Sequence, residues 1–349
     1  MNKYVLIFVC LFFFLVTSGF SNIWIVCNQH SDGSHYSSVQ SAVEHAEAYD
    51  TIYVKGSKMN YGNVLLEKPL TLIAEGSMND EVPQNSVKLT RVLLTHNPYL
   101  KTVSSGSSII GFEFPYFSGN KPNIVSIPNP RVRIENITIE RNWVWFIEIP
   151  SAARNWTFRN NIIRGWVNGG TETSRRHGGF ELFHFHNNII NTIKGFENSE
   201  VYIYNNVITG RLKNVSGAEV YNNIFSRDAY VLENVSGCHF RGNVTVSDKL
   251  ANDECYSQPK RFEGMNKCTG ENNTGSGNLV GVDPGFAYWP STDVLGGSVF
   301  KLNNGSPAKS AGAKGQEPGI YGGDFPFPEN YFKNQEMYDP FPAFITSVY

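Results

Sequence analysis

Glu172, Arg175, Arg176 and His177 lie close together in the run WVNGGTETSRRHGGF. Arginine can grip a carboxylate through two parallel hydrogen bonds, and histidine can take a proton near neutral pH. Together they could hold a uronate and remove the proton beside it. The plainer expectation for the same residues is a solvated polar loop made pliable by glycine. A second set, Arg159, His184, His186, Tyr202, Tyr204, Tyr221 and Arg241, recurs two or four positions before a repeated Asn, with Thr157, Glu219 and His239 among them. On a strand such alternate positions share one face. Rings there can stack on sugars, and Arg and His can bond hydroxyls or carboxylates. Aromatic ladders also stabilise sheets without any ligand.

The repeat says what must position these side chains. FRNNIIRG, FHNNIINT, IYNNVITG and VYNNIFSR each carry an Asn pair, whose second members are Asn161, Asn188, Asn206 and Asn223, 27, 18 and 17 residues apart. Asn243 lies 20 further on; Asn136 and Gly111 extend the series backwards in steps of 25. Self-similarity near this period indicates a solenoid. Alternation around each pair indicates short strands, so equivalent residues stack one coil apart, about 4.8 Å. The inner column is expected to read Phe158, Phe185, Ile203, Val220, Phe240. A column of Asn160, Asn187, Asn205 and Asn222 is expected to bond along the axis at a tight corner. Sequons such as Asn214 and Asn234 arise cheaply in such a ladder.

Composition sets outer bounds. The 349 residues are 41% hydrophobic and 17% charged, with 24 Phe, 17 Tyr and a net charge of -2. No basic field invites nucleic acid. Lys3, the apolar run Val5 to Val16 and small residues at Thr17, Ser18, Gly19 and Ser21 have the form of a secretory signal, residues 1–21, too short to span a bilayer. A secreted or cell-surface protein is expected, with no transmembrane segment in the mature chain. Cys255 and Cys268 flank one polar loop and are the plausible disulfide; Cys27 and Cys238 are expected as buried thiols. No metal-ligand spacing occurs.

The ends carry a resemblance. YSSVQSAVEHAEAYDTIYV places Val39, Ala42, Val43 and Ala46 on one helical face after Ser37 or Ser38, and KPLTLIAEG follows. Together with VDPGFAYWP, FKLNNGSPAKSAGA and EPGIYGG, this resembles bacterial right-handed parallel β-helix proteins of the pectate-lyase-like superfamily, from about Tyr36 to Gly323. One departure is Tyr49, where Gly commonly precedes the Asp. The resemblance implies an all-β fold: a single right-handed parallel β-helix over 22–323 with a short N-terminal capping helix. Residues 324–349 would form an extended tail.

The enzymes of that superfamily need groups that are scarce here. Hydrolases use paired aspartates, yet between Glu140 and Glu233 the only aspartate is Asp228. Calcium-dependent lyases gather carboxylates around Ca²⁺, and the coils show no acidic cluster, so no cofactor is expected. An Asp-Pro-His-Asp run is absent. The expectation is therefore a non-catalytic exported protein that binds polysaccharide or a cell-surface glycan, or serves as a structural module. The alternative is a polysaccharide lyase or hydrolase on an acidic polysaccharide, worked by Glu172, Arg175, Arg176 and His177.

Overall fold

The computed structural model describes residues 21–29, 33–75, 87–94, 96–97, 102–115, 123–126, 133–149, 152–169, 180–197, 199–226, 231–246, 272–287 and 297–328. Two eleven-stranded sheets dominate. The first runs through Ile23–Val26, Thr51–Val54, Thr71–Ala74, Ser108–Ile110, Ile134–Glu140, Ala153–Arg159, Phe180–His186, Val201–Tyr204, Glu219–Tyr221, His239–Arg241 and Thr274–Ser276. The second runs from Asn63–Leu66 through Arg91–Leu94, Ile124–Ser126, Trp143–Glu148, Ile162–Asn168, Ile189–Phe196, Val207–Ser216, Ile224–Phe225 and Val244–Thr245 to Leu279–Val280. Leu232–Ser236 lies beside Val207–Ser216 in that second sheet. Beyond Thr51 the chain passes back and forth between the two sheets, and the pairing within them is parallel. The alternation is interrupted by the small antiparallel pair His96–Asn97 and Thr102–Val103 and by the consecutive second-sheet strands Ile224–Phe225 and Leu232–Ser236. This is a solenoid-like architecture, consistent with a parallel β-helix.

Side chains from the two inner faces make the core. Phe158, Phe185, Ile203, Val220 and Phe240 are in register and fully buried, as the alternation predicts. The Phe158 and Phe185 rings stack at 4.5 Å and 4°. Across from them stand Val144, Ile163, Ile190, Ile208 and Phe225. Each large apolar side chain so buried contributes about 1.5–3 kcal/mol, so the repeated columns account for most of the drive to stack coils.

The corner between the sheets is built differently from the sequence expectation. The axial ladder is made by the second Asn of each pair, not the first. Asn142, Asn161, Asn188, Asn206, Asn223, Asn243 and Asn278 bond in series, each donating both its backbone N–H and its Nδ2–H to the next Oδ1 at 2.9–3.2 Å. Because every amide points the same way, each bond polarises the next. The first members, Asn160, Asn187, Asn205 and Asn222, take φ of 53–54°. Asn tolerates this left-handed conformation better than other side-chain-bearing residues. Arg141 and Gly242 occupy the same corner at φ 54° and 59°. Asn136, assigned by spacing to this series, instead bonds Asn155 Nδ2–H at 2.7 Å on a separate corner. The residue that precedes Asn161 in the ladder is Asn142.

Freed from the ladder, the first Asn side chains hold the C-terminal segment. Asn187 Nδ2 donates to the carbonyls of Ile320 (3.0 Å) and Gly322 (2.7 Å). Asn160 reaches Pro326 O, Asn205 reaches Glu317 O, and Asn222 bonds Gln316 Oε1 and the N–H of Ala313. Residues 313–326 thus run lengthwise down the corner, against the direction in which the coils advance. Beneath lies a second apolar cluster, in which Ile162, Ile189, Val207, Ile224 and Val244 meet Phe300, Ile320 and Phe327. Gly242 is required there, since a Cβ on it would sit 2.2 Å from Ala313 N. Of the tail expected over 324–349, only 324–328 is described.

At the other end, helix Val39–His45 buries Val39, Ala42 and Val43, and Ser38 rather than Ser37 is its N-cap. Asp50 accepts from Asn22 N–H, Trp24 Nε1–H and Glu47 N–H at 2.7–2.9 Å. Burial alone would raise its pKa, but these three donors prevail and hold it below the ordinary value. Tyr49, at the glycine-like position before it, has φ 71°, a conformation that suits Gly and strains Tyr. Cys27 and Cys238 are buried free thiols, as expected. Residues 1–20 of the signal-like segment, Cys255 and Cys268 lie outside the described residues. No helix among the described residues is long and apolar enough to cross a membrane.

Candidate functional site

Parallel register places the outward residues of the first sheet in two rows. One reads Glu140, Arg159, His186, Tyr204, Tyr221, Arg241 and Ser276; the other reads Thr138, Thr157, His184, Tyr202, Glu219, His239 and Thr274. All seven residues expected to bind substrate, Arg159, His184, His186, Tyr202, Tyr204, Tyr221 and Arg241, fall in these rows. The loop residues Glu172, Arg175, Arg176 and His177 lie outside the described residues.

Strand spacing governs how the rings are used. His186, Tyr204 and Tyr221 stack at 4.9 and 5.0 Å with interplanar angles of 7° and 2°, and His184 stacks on Tyr202 at 5.1 Å. Rings attached to strands about 4.8 Å apart cover one another's faces. Tyr204 is enclosed on both sides, so this row offers a ligand its edges and hydroxyls.

The upstream part of the row is covered. Phe325, from the C-terminal segment, lies 5.3 Å from the His186 ring, and the Arg159 guanidinium sits 4.7 Å over the same phenyl. Arg159 also pairs with Glu140 at 2.5 Å. His186 is 4% exposed, and its pKa is pushed down to about 4, chiefly by burial, with the Arg159 charge adding to the effect and the Asn187 bond opposing it. Burial, then the neighbouring Tyr221 and Asp324, raises Tyr204 to about 12. Neither group is poised for proton transfer at neutral pH.

Downstream the face opens into a shallow groove of about 640 Å³ lined by Tyr202, Glu219, Tyr221, His239, Arg241 and the Thr274–Ser276 strand. Arg241 pairs with Glu219 at 3.0 Å and leans over the Tyr221 ring at 5.6 Å. His239 Nδ1 lies 2.6 Å from Thr274 Oγ1, and Tyr202 donates its hydroxyl to Glu200 at 2.8 Å. Among the described residues no group of three or more His, Cys, Asp or Glu could hold a metal ion.

The sequence reading missed Thr274 and Ser276. Their coil follows Asn243 by a 35-residue step to Asn278, and TGS reads as a turn rather than a strand. The echo of GNVT in GNLV, around Asn243 and Asn278, was the signal that could have found them. No family model, no characterised protein and no solved structure matches this chain.

Proposed function

We propose that this is an exported right-handed parallel β-helix protein that binds an extracellular polysaccharide on the outward face of its first sheet, without catalysing a reaction on it. Handedness follows from the strong preference of parallel crossovers for the right-handed path, and residues 39–45 act as the N-terminal cap that a solenoid end requires. The resemblance of both chain ends to the pectate-lyase-like superfamily supports the same reading, as does the signal-like start for export to the outside or the cell surface.

One observation carries the binding assignment: the groove between Tyr202 and Ser276 lines up hydroxyl, carboxylate, imidazole and guanidinium groups along the solenoid axis, at the spacing of its coils. An extended polymer of hydroxyl-bearing units can meet such a row with several short hydrogen bonds at once. A rigid sheet presents these groups already ordered, which lowers the entropic cost of capture. The assay is a glycan array read alongside an ultraviolet test for unsaturated uronates. Binding without product is the expected result; product formation abolished by His177→Ala would replace this reading with the lyase.

A further inference from the structure

We infer that the ligand of this groove is an uncharged polysaccharide rather than a polyanion, an inference that rests on the glycan-binding reading above. A polyuronate presents a carboxylate on every sugar and would need a run of available cations along the axis. The two rows provide few. Arg159 is paired with Glu140 and lies against Phe325, and between it and Arg241 the row holds only His186, Tyr204 and Tyr221. Arg241 is itself paired with Glu219. Among the described residues within and beside the groove, the carboxylates are those of Glu200 and Glu219 and the guanidinium is that of Arg241, which pairs with Glu219. Both His184 and Tyr202 are held in their neutral forms: burial lowers the His184 pKa, and the hydrogen bond to Glu200 raises that of Tyr202. Among the described residues the local balance is therefore negative, which disfavours a polyanion.

Sugar hydroxyls fit the same groups. A carboxylate accepts two hydroxyl protons, a guanidinium donates in a fixed fork, and Thr274 and Ser276 can do either. Glu219 and Arg241 are partly exposed, at 34% and 54% of their side chains, so each keeps hydrogen-bonding capacity beyond their mutual pair. An uncharged polymer gains from these contacts while leaving the pair intact.

The test measures binding of the full chain to hydroxyethyl cellulose and galactomannan on one side, and polygalacturonate and alginate on the other, at low and high salt. The expected result is capture of an uncharged polymer, little changed by salt, since no counterions are displaced. Glu219→Gln should weaken that capture roughly tenfold by removing a charged acceptor, with Glu219→Asp restoring part of it and the unfolding midpoint unchanged. If polygalacturonate or alginate binds more tightly, loses affinity with salt and gains it in Glu219→Gln, the inference is overturned while the glycan-binding reading stands. If none of the four polymers binds and the array is blank, the glycan-binding reading itself falls.

Discussion

Replacing Asn206 by Leu should unfold this protein more readily than the same change at its neighbour Asn205, although the two residues sit side by side in the same pair. Asn206 Oδ1 accepts from Asn188 N–H and Asn188 Nδ2–H, both at 3.0 Å. Its Nδ2 donates to Phe185 O, Tyr204 O and Asn223 Oδ1 at 2.8–3.0 Å. Leucine removes all five contacts and leaves the Asn188 backbone N–H buried without its acceptor. An orphaned buried donor costs about 1–3 kcal/mol, and each further lost bond about 0.5–1.5 kcal/mol. Added apolar burial of the leucine offsets about 1 kcal/mol, giving a net loss of about 2–8 kcal/mol, centred near about 5 kcal/mol. Asn205→Leu loses only two long bonds to Glu317 O and Gly319 O, at 3.3 and 3.5 Å. It adds strain at φ 53°, worth about 1–2 kcal/mol. Urea unfolding followed by tryptophan fluorescence compares the two variants directly. Equal losses, or a larger loss at Asn205, would refute the assignment of the ladder to the second Asn.

Other consequences are as direct. The His186 pKa falls from 6.5 to about 4 on folding, so the unfolded chain binds the extra proton between those values. Stability should therefore decline as pH drops from about 6.5 towards 4, by up to ~3 kcal/mol, and His186→Phe should flatten that slope in pH-dependent melts. Asn187→Gly keeps the left-handed corner but removes the bonds to Ile320 and Gly322; hydrogen exchange should accelerate across 317–327, with about 1–2 kcal/mol lost. Unchanged protection there would mean that the apolar cluster alone holds the segment. Tyr49→Gly should be neutral or stabilise by up to about 1 kcal/mol, because relief at φ 71° outweighs the entropy of the added glycine; a clear drop in the melting midpoint would show that the exposed ring contributes more than its strain.

The periodic part of this protein is legible in its local pattern. Alternation is a local property of each strand, and a side chain that points inward in one coil points inward in the next, so Phe158, Phe185, Ile203, Val220 and Phe240 could be aligned from spacing alone. The two outward rows followed from the same parity. Asn pairs marked the corner, because few other residues accept positive φ beside a buried amide. Tertiary structure decided which Asn did which task. Both members fit a corner by type, but only the second turns into the axis, and only the chain's return along the outside supplies carbonyls for the first. That return joins Asn160 to Pro326 across 166 positions, a pairing no local pattern encodes. It also carried Phe325 onto Arg159 and His186, closing one half of a face that parity had left open throughout. The ring faces were lost for a related reason: side chains one coil apart sit at stacking distance, so the ladder uses the surfaces a sugar would otherwise meet. What stays available is the downstream groove, completed by Thr274 and Ser276 from a coil whose 35-residue step conceals it in the sequence, and brought alongside His239 and Arg241 by parallel register alone.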